Sequence, residues 1–278
     1  MVKEENVKRV VRQGYAKIAK KEKSCCDTST SCGCNTSDTS EDISRRIGYT
    51  EEEISSVPEG ANLGLGCGNP VALASLKKGE TVLDLGSGGG FDCFLAANRV
   101  GKSGKVIGVD MTPEMIDKAR ENARKGKREN VEFRLGEIEN LPVADSAVDV
   151  IISNCVINLS PEKKRVFEEA FRVLKPNGRL MVSDIVLLKK LPDVIRKSVQ
   201  AYVGCLGGAE MKDKYLQMIK DAGFEEVKVV EEKSFPVEDM LNDPTVKAIV
   251  EKSDIPPGKI KEVGNTVASI RVSGIKLR

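Results

Sequence analysis

Thr81-Val82-Leu83-Asp84-Leu85-Gly86-Ser87-Gly88-Gly89-Gly90-Phe91 passes from an apolar run straight into alternating glycines. The run reads as a buried strand, the glycines as a tight turn, and Phe91 to Arg99 as the helix that follows. Such a unit places backbone N–H groups and a helix N-terminus at the carboxyl edge of a sheet, a cradle for a nucleotide-type cofactor. A dinucleotide fingerprint, Gly-x-Gly-x-x-Gly, would need glycine at position 91, where the chain has Phe91. Here Gly86, Gly88 and Gly90 alternate, and Asp84 stands two positions before them. Asp110 closes the next strand about 20 residues on, where a carboxylate can hold both ribose hydroxyls. A glycine turn selected only for close strand-to-helix packing is the plainer reading. The order of strand, turn, helix and distant acid favours the cradle.

The same alternation continues outward. Val106 to Asp110, Val131 to Leu135, Val148 to Ser153 and Arg179 to Asp184 read as strands. Helices are expected over Pro113 to Lys125, with Thr112 as N-cap and Pro113 in the first turn, and over Pro161 to Leu174. Beyond them, Leu191 to Val203 and Met211 to Ala222 look helical, Glu226 to Glu231 and Thr266 to Leu277 look like strands, and Val237 to Ser253 reads as a helical insertion before the last. The pattern predicts an α/β, Rossmann-like fold: a seven-stranded, mostly parallel sheet with an antiparallel edge and helices on both faces. At the N-terminal end, Val7, Val10, Val11 and Ile18 recur at helical spacing among basic residues, so residues 5 to 20 form an amphipathic helix. It either docks on the main domain or covers the cofactor as a lid. Residues 24 to 42 are polar, with little to bury, and carry Cys25, Cys26, Cys32 and Cys34. Their spacing lacks the paired Cys-x-x-Cys of a structural zinc site. The expected organisation is an arm over residues 1–47 and a domain over 48–278.

Composition narrows the function. The 278 residues carry 44 Lys+Arg against 42 Asp+Glu, a net charge of +2 that gives no bulk basis for nucleic-acid binding. Aromatics make up 4% and there is no Trp, which argues against base-stacking platforms. A charged N-terminus without an apolar run, and no stretch near the roughly 20 apolar residues of a membrane span, imply a cytoplasmic chain with mostly reduced cysteines.

Three cysteines stand in unusual settings: Cys67 in Gly-Leu-Gly-Cys67-Gly-Asn-Pro, Cys155 in Ser-Asn-Cys155-Val-Ile-Asn-Leu, and Cys205 in Gly-Cys205-Leu-Gly-Gly-Ala. Cys155 ends a strand at the same carboxyl edge as the glycine loop. Gly66 and Gly68 would let the backbone near Cys67 approach a ligand closely. Exposed glycine turns suit reactive thiols, although cysteine is also a common small core residue, the reading preferred for Cys93. Three thiolates beside a group-transfer cofactor suit a soft, thiophilic acceptor. The chain has no His to serve as a general base, and an acceptor atom with a lone pair and no proton would need none.

The glycine loop resembles the first motif of class I S-adenosylmethionine-dependent methyltransferases. Taken with the three cysteine motifs, in order from about residue 48 to 225, it resembles the arsenite S-adenosylmethionine methyltransferases, the Ser-Asn-Cys-Val-Ile-Asn-Leu block being the most specific part. The resemblance implies methyl transfer from S-adenosylmethionine to thiol-bound As(III), supplied as a thiol conjugate and kept reduced by thioredoxin or small thiols. It implies As(III) ligation by Cys67, Cys155 and Cys205, from segments around 60–70, 153–160 and 200–210, with a fourth thiol from Cys32 or Cys34. Asp84, Gly86, Ser87, Gly88, Gly90, Asp110, Met111, Ile138 and Glu139 are implied on the cofactor, with Asn154 near the methyl group. Whether Glu137 or Glu139 turns inward is left open. Two other readings compete: a carbon methyltransferase acting on a quinone or sterol precursor, and a non-catalytic metalloid-binding protein.

Overall fold

The inner strands of the sheet are apolar because both of their faces are covered. In a computed structural model describing residues 4–20, 39–190, 208–234 and 266–277, the strands are β1 (Thr81–Leu85), β2 (Lys105–Asp110), β3 (Val131–Leu135), β4 (Val148–Asn154), β5 (Leu174–Leu187), β6 (Glu225–Ser234) and β7 (Val267–Ile275). They form one sheet in the order β3-β2-β1-β4-β5-β7-β6. β1 to β5 run parallel. β7 is antiparallel to both neighbours, so the antiparallel strand lies one place in from the edge expected for it, with β6 outside. Strand β5 is longer than the apolar run 179–184 implied, because its first residues continue the ladder beside β4 and its last ones beside β7.

Alternation along β1 divides its side chains between two cores. Leu83 and Leu85 join Ile107, Val109, Ile151 and Phe167 on one face; Val82 joins Phe94, Val106, Val150 and Ile152 on the other. Helices α5 (Phe91–Val100) and α6 (Pro113–Lys125) close the second face. The first is closed by α7 (Lys163–Val173) and by α8 (Lys212–Asp221), counting in chain order after the N-terminal helices given next. This two-sided coverage is what a parallel sheet requires.

Three short helices were not read from the sequence: α2 (Ser40–Ile47), α3 (Glu51–Ser55) and α4 (Pro70–Leu73). Their signals are local. Thr39 with Asp42, and Thr50 with Glu53, form reciprocal capping boxes, and Asn69 caps α4 with Pro70 in its first turn. Helix α1 (Glu4–Lys20) docks as its amphipathic pattern predicts: Val11 packs among Cys67, Cys155, Leu159 and Ile185, with Val7 and Tyr15 beside it. Lys8 pairs with Glu137 at 2.8 Å and Lys20 with Glu114 at 2.9 Å, fixing the helix over the carboxyl edge of the sheet. The helices expected at 191–203 and 237–253 lie outside the described residues. Among the described residues, no helix is long and apolar enough to cross a membrane.

Leu83 is fully buried in the central strand. Leu83→Ala should lower unfolding free energy by about 2–5 kcal/mol through the cavity it leaves, read as a drop in urea midpoint at constant slope.

Candidate functional site

The strand order reverses between β1 and β4, and ligands of open α/β sheets lie outside the carboxyl ends at that point. The loop after β1 sits there. Gly88 has a φ of +51° and open space where a Cβ would project. Its N–H donates to Asp110 Oδ2 at 3.0 Å, while Thr112 N–H donates to Asp110 Oδ1 at 2.8 Å. The two bonds tie the loop to the end of β2 and hold the carboxylate at its mouth. Burial raises the pKa of Asp110, partly offset by these donors. Ser87 is buried, and its Oγ has no partner among the described residues, an orphan that a bound polar ligand would satisfy. The loop therefore fits a nucleotide-type cofactor on its own polar atoms. Thr112 stands at the N-cap of α6 as expected, without a side-chain capping bond.

Asp84 is not open to this mouth in the same way. It is 2% exposed and accepts the Cys93 thiol at 3.2 Å, and burial raises both pKa values. Cys93 is a core residue, as read from the sequence. The open question at the end of β3 resolves: Glu139 turns inward, is 4% exposed, and accepts Ser160 Oγ at 2.6 Å, while Glu137 is more exposed and accepts Lys8 and Arg12; Lys8 of α1 also pairs with Glu139, at 3.2 Å. Ile138 is buried between them. Met111, after β2, packs against the same apolar group as α1.

Cys67 and Cys155 come together. Their sulfurs and an Asp184 carboxylate oxygen all lie within 4.8 Å of one another. Cys155 follows β4 in the left-handed region, at φ 59°, a conformation that a non-glycine residue holds only under tertiary constraint. Its N–H donates to Ser183 O at 2.8 Å, which supplies part of that constraint. Asn154, one residue earlier, does the same for Cys67: its Oδ1 accepts Cys67 N–H at 3.0 Å. Its Nδ2 lies near three acceptors, Gly68 O at 2.8 Å, the Tyr49 hydroxyl at 2.9 Å and Asp92 Oδ2 at 3.1 Å. The glycines flanking Cys67 serve this network and not a ligand, because a Cβ on Gly66 would strike the Asn154 amide and one on Gly68 would strike Ser183 and Arg271. The two thiols are also buried instead of lying in exposed turns, at 5% and 9%, in an apolar cluster that joins Val11 of α1 to Leu159, Ile185, Leu187 and Val267.

Sequence reasoning missed Tyr49, Asp92, Asn158, Asp184 and Tyr215. Tyr49 is buried against the Phe91 ring, at 4.8 Å between centroids, and donates to Asp92 at 2.6 Å. Asp184 lies near the end of β5 and accepts Asn158 Nδ2 at 2.8 Å, Ile185 N–H at 2.9 Å and the Tyr215 hydroxyl at 3.1 Å. The one signal available was Asn158 in the Cys155-Val-Ile-Asn-Leu block; nothing local marks Asp184 or Tyr215. Cys205, Cys25, Cys26, Cys32 and Cys34 lie outside the described residues.

A glycine loop, a carboxylate on the neighbouring strand and a thiol pair lie together at the switch point of an open α/β sheet. Residues 76–223 match the family model described as a methyltransferase domain, and the chain belongs to that family. It is 53% identical over 230 residues to an arsenite methyltransferase of Halobacterium salinarum, covering 81% of this chain and 59% of that one. It is 39% identical over 152 residues to the human arsenite methyltransferase, covering 51% and 40%. The solved structure of an arsenic(III) S-adenosylmethionine methyltransferase from Chlamydomonas reinhardtii superposes with a TM-score of 0.61 at 31% identity, covering 85% of this chain and 73% of that one. The chain spans about 40–59% of the length of these two curated relatives.

Burial pushes the Asp184 carboxyl up to about 7 from its ordinary 3.8. The folded state then binds the extra proton, so this contribution to stability is complete below about pH 4 and lost as pH climbs through 7. Urea midpoints taken across that interval should fall with pH, and Asp184→Asn should flatten the fall.

Proposed function

We propose that the chain transfers methyl groups from S-adenosylmethionine to trivalent arsenic held on its cysteines. The observation that carries this reading is the approach of Cys67 and Cys155 at the sheet edge next to the glycine loop. Soft thiolates select a thiophilic atom, and the relatives named above share the assignment.

In this reading residues 48–278 form the catalytic domain and residues 1–47 its N-terminal arm. Gly86, Ser87, Gly88 and Gly90 line the cofactor loop, Asp110 receives ribose hydroxyls, and Met111, Ile138 and Glu139 border the adenine. Ser87 Oγ, orphaned and buried, gains a partner when the cofactor binds. S-adenosylmethionine supplies a sulfonium methyl that is electrophilic towards an arsenic lone pair. The protein's own contribution is placement. Asn154 fixes the Cys67 backbone while preceding Cys155 in sequence, so one amide sets the relation between the two sulfurs. Cys205 is the third thiol, and a fourth comes from Cys32 or Cys34. Arsenite enters as a thiol conjugate, and small thiols or thioredoxin keep the cysteines reduced. The acceptor loses no proton in the alkylation, so alignment replaces acid–base help, in keeping with a chain that has no His. Helix α1 excludes water from the thiols.

The test is methyl transfer from labelled S-adenosylmethionine to arsenite with excess thiol. Wild type should form labelled methylarsenicals, and Cys155→Ser should abolish them. Cys67→Ser should reduce arsenite turnover at least tenfold. A wild-type protein that binds S-adenosylmethionine yet makes no arsenical product would sink the proposal and turn attention to apolar carbon acceptors.

A further inference from the structure

From Leu180 to Leu187 strand β5 is apolar except at Ser183 and Asp184. Ser183 is fully buried, where an unused hydroxyl costs free energy. Its Oγ lies 3.8 Å from the Cys67 sulfur, and among the described residues neither the hydroxyl nor the sulfur has another hydrogen-bond partner. Three further observations tie this residue to the thiol pair. The Ser183 carbonyl accepts the Cys155 N–H at 2.8 Å, so one residue meets the backbone of one cysteine and the sulfur of the other. A Cβ on Gly68 would fall 2.1 Å from the Ser183 Oγ, so the glycine after Cys67 leaves room for this hydroxyl. Arg271, the register partner of Ser183 on β7, adds a positive field at the same sulfur, attenuated by Glu231, with which it pairs. Any residue at 183 would supply the carbonyl; the hydroxyl is particular to this side chain.

Resting on the proposed function, we infer that Ser183 is a positioning residue for the arsenic site: its hydroxyl donates to the Cys67 sulfur once arsenic has replaced the thiol proton, and so fixes that sulfur relative to Cys155. The Cys67 sulfur attacks the arsenic of a thiol conjugate. One As–S bond to the carrier thiol breaks, one to Cys67 forms, and the Cys67 proton leaves on the departing thiol. The bound sulfur is then an acceptor only, and the hydroxyl beside it is a donor. Hydrogen bonds to charged acceptors are shorter than neutral ones, so the 3.8 Å separation closes as negative charge collects on sulfur. The As–S bond outlasts the methyl transfer, and the contact lasts with it. Groups behind a ligand atom that fix its orientation in this way also tune its basicity.

The experiment titrates arsenite into wild type and Ser183→Ala without methyl donor, following the thiolate-to-arsenic absorbance. Loss of one hydrogen bond predicts an affinity about three- to tenfold weaker in the variant. The band should also move to longer wavelength, because sulfur lone pairs rise in energy when a donor is removed; a packing role alone leaves it in place. Ser183→Thr, which retains the hydroxyl, should keep the band and hold the affinity to within about twofold. The deciding comparison is a double-mutant cycle with Cys67→Ala, read as kcat/KM for arsenite. There Ser183→Ala should cost about three- to tenfold with Cys67 present and less than about twofold with Cys67 removed. Equal costs in the two backgrounds, or an unchanged band and affinity in Ser183→Ala, would overturn the inference while leaving the proposed function intact. A wild type that binds arsenite but forms no methylarsenical ends the proposed function, and the titration still decides whether Ser183 holds the Cys67 sulfur. Should Ser183→Ala fail to fold, the Thr variant decides: loss of both band position and affinity there overturns the inference equally.

Discussion

The side-chain amide of Asn154 holds together parts of the chain that the sequence keeps far apart. It lies at the end of β4 and accepts from Cys67, and it lies within donating distance of Gly68, Tyr49 and Asp92. The four partners belong to three pieces of structure: the loop before α4, the turn between α2 and α3, and the first turn of α5. An amide offers two donors and a carbonyl, so three acceptors face two protons on Nδ2 and two of them share one. The cluster is closed further by Tyr49 donating to Asp92. Its cost is a buried carboxyl, Asp92, whose pKa burial raises despite the two donors that face it. Beside this cluster, the Ser269 hydroxyl donates to the Cys67 carbonyl at 2.8 Å, and the Cys67 sulfur lies 3.8 Å from the Ser183 hydroxyl, so the loop is also held against β5 and β7.

Buried acids recur along the carboxyl edge. Asp84, Asp92 and Asp184 are each under a tenth exposed, and burial pushes all three pKa values upward. A packed domain with no need for chemistry would avoid such groups or pair them with cations. Here they receive neutral donors: a thiol for Asp84, a phenol and an amide for Asp92 and Asp184 alike. These neutral partners are supplemented by cations, since Lys163 acts on Asp184 and Arg271 on Cys67.

Much of this was legible before folding. The strands showed as apolar runs because both faces of a parallel sheet are covered, and the cradle showed because Gly86, Gly88 and Gly90 are spaced for a turn that only glycine fills easily. Cys67 and Cys155 stood out through their neighbours. What stayed hidden has a common physical cause: it depends on pairs distant in sequence. Asp184 meets Asn158 and Tyr215 across 26 and 31 residues, and no periodicity encodes such a meeting. The inward turn of Glu139 over Glu137 is decided by Ser160 and α1, again from elsewhere in the chain. The misreading of Gly66 and Gly68 has the same origin, since what crowds them is Asn154 and Ser183. Only the short helices α2 to α4 carried a local signal that went unread, in the capping residues Thr39, Thr50 and Asn69.

The roof that α1 lays over the two sulfurs has a consequence for survival in the presence of oxidants. Thiols are oxidised in proportion to their exposure and ionisation, and these two are almost sealed by Val7, Val11 and Tyr15. Peroxide, or a bulky disulfide seeking exchange, meets a packed apolar cluster before it meets sulfur. The lifetime of the pair under oxidative stress therefore depends on the packing around it, to which α1, held through Lys8 and Lys20, contributes one wall.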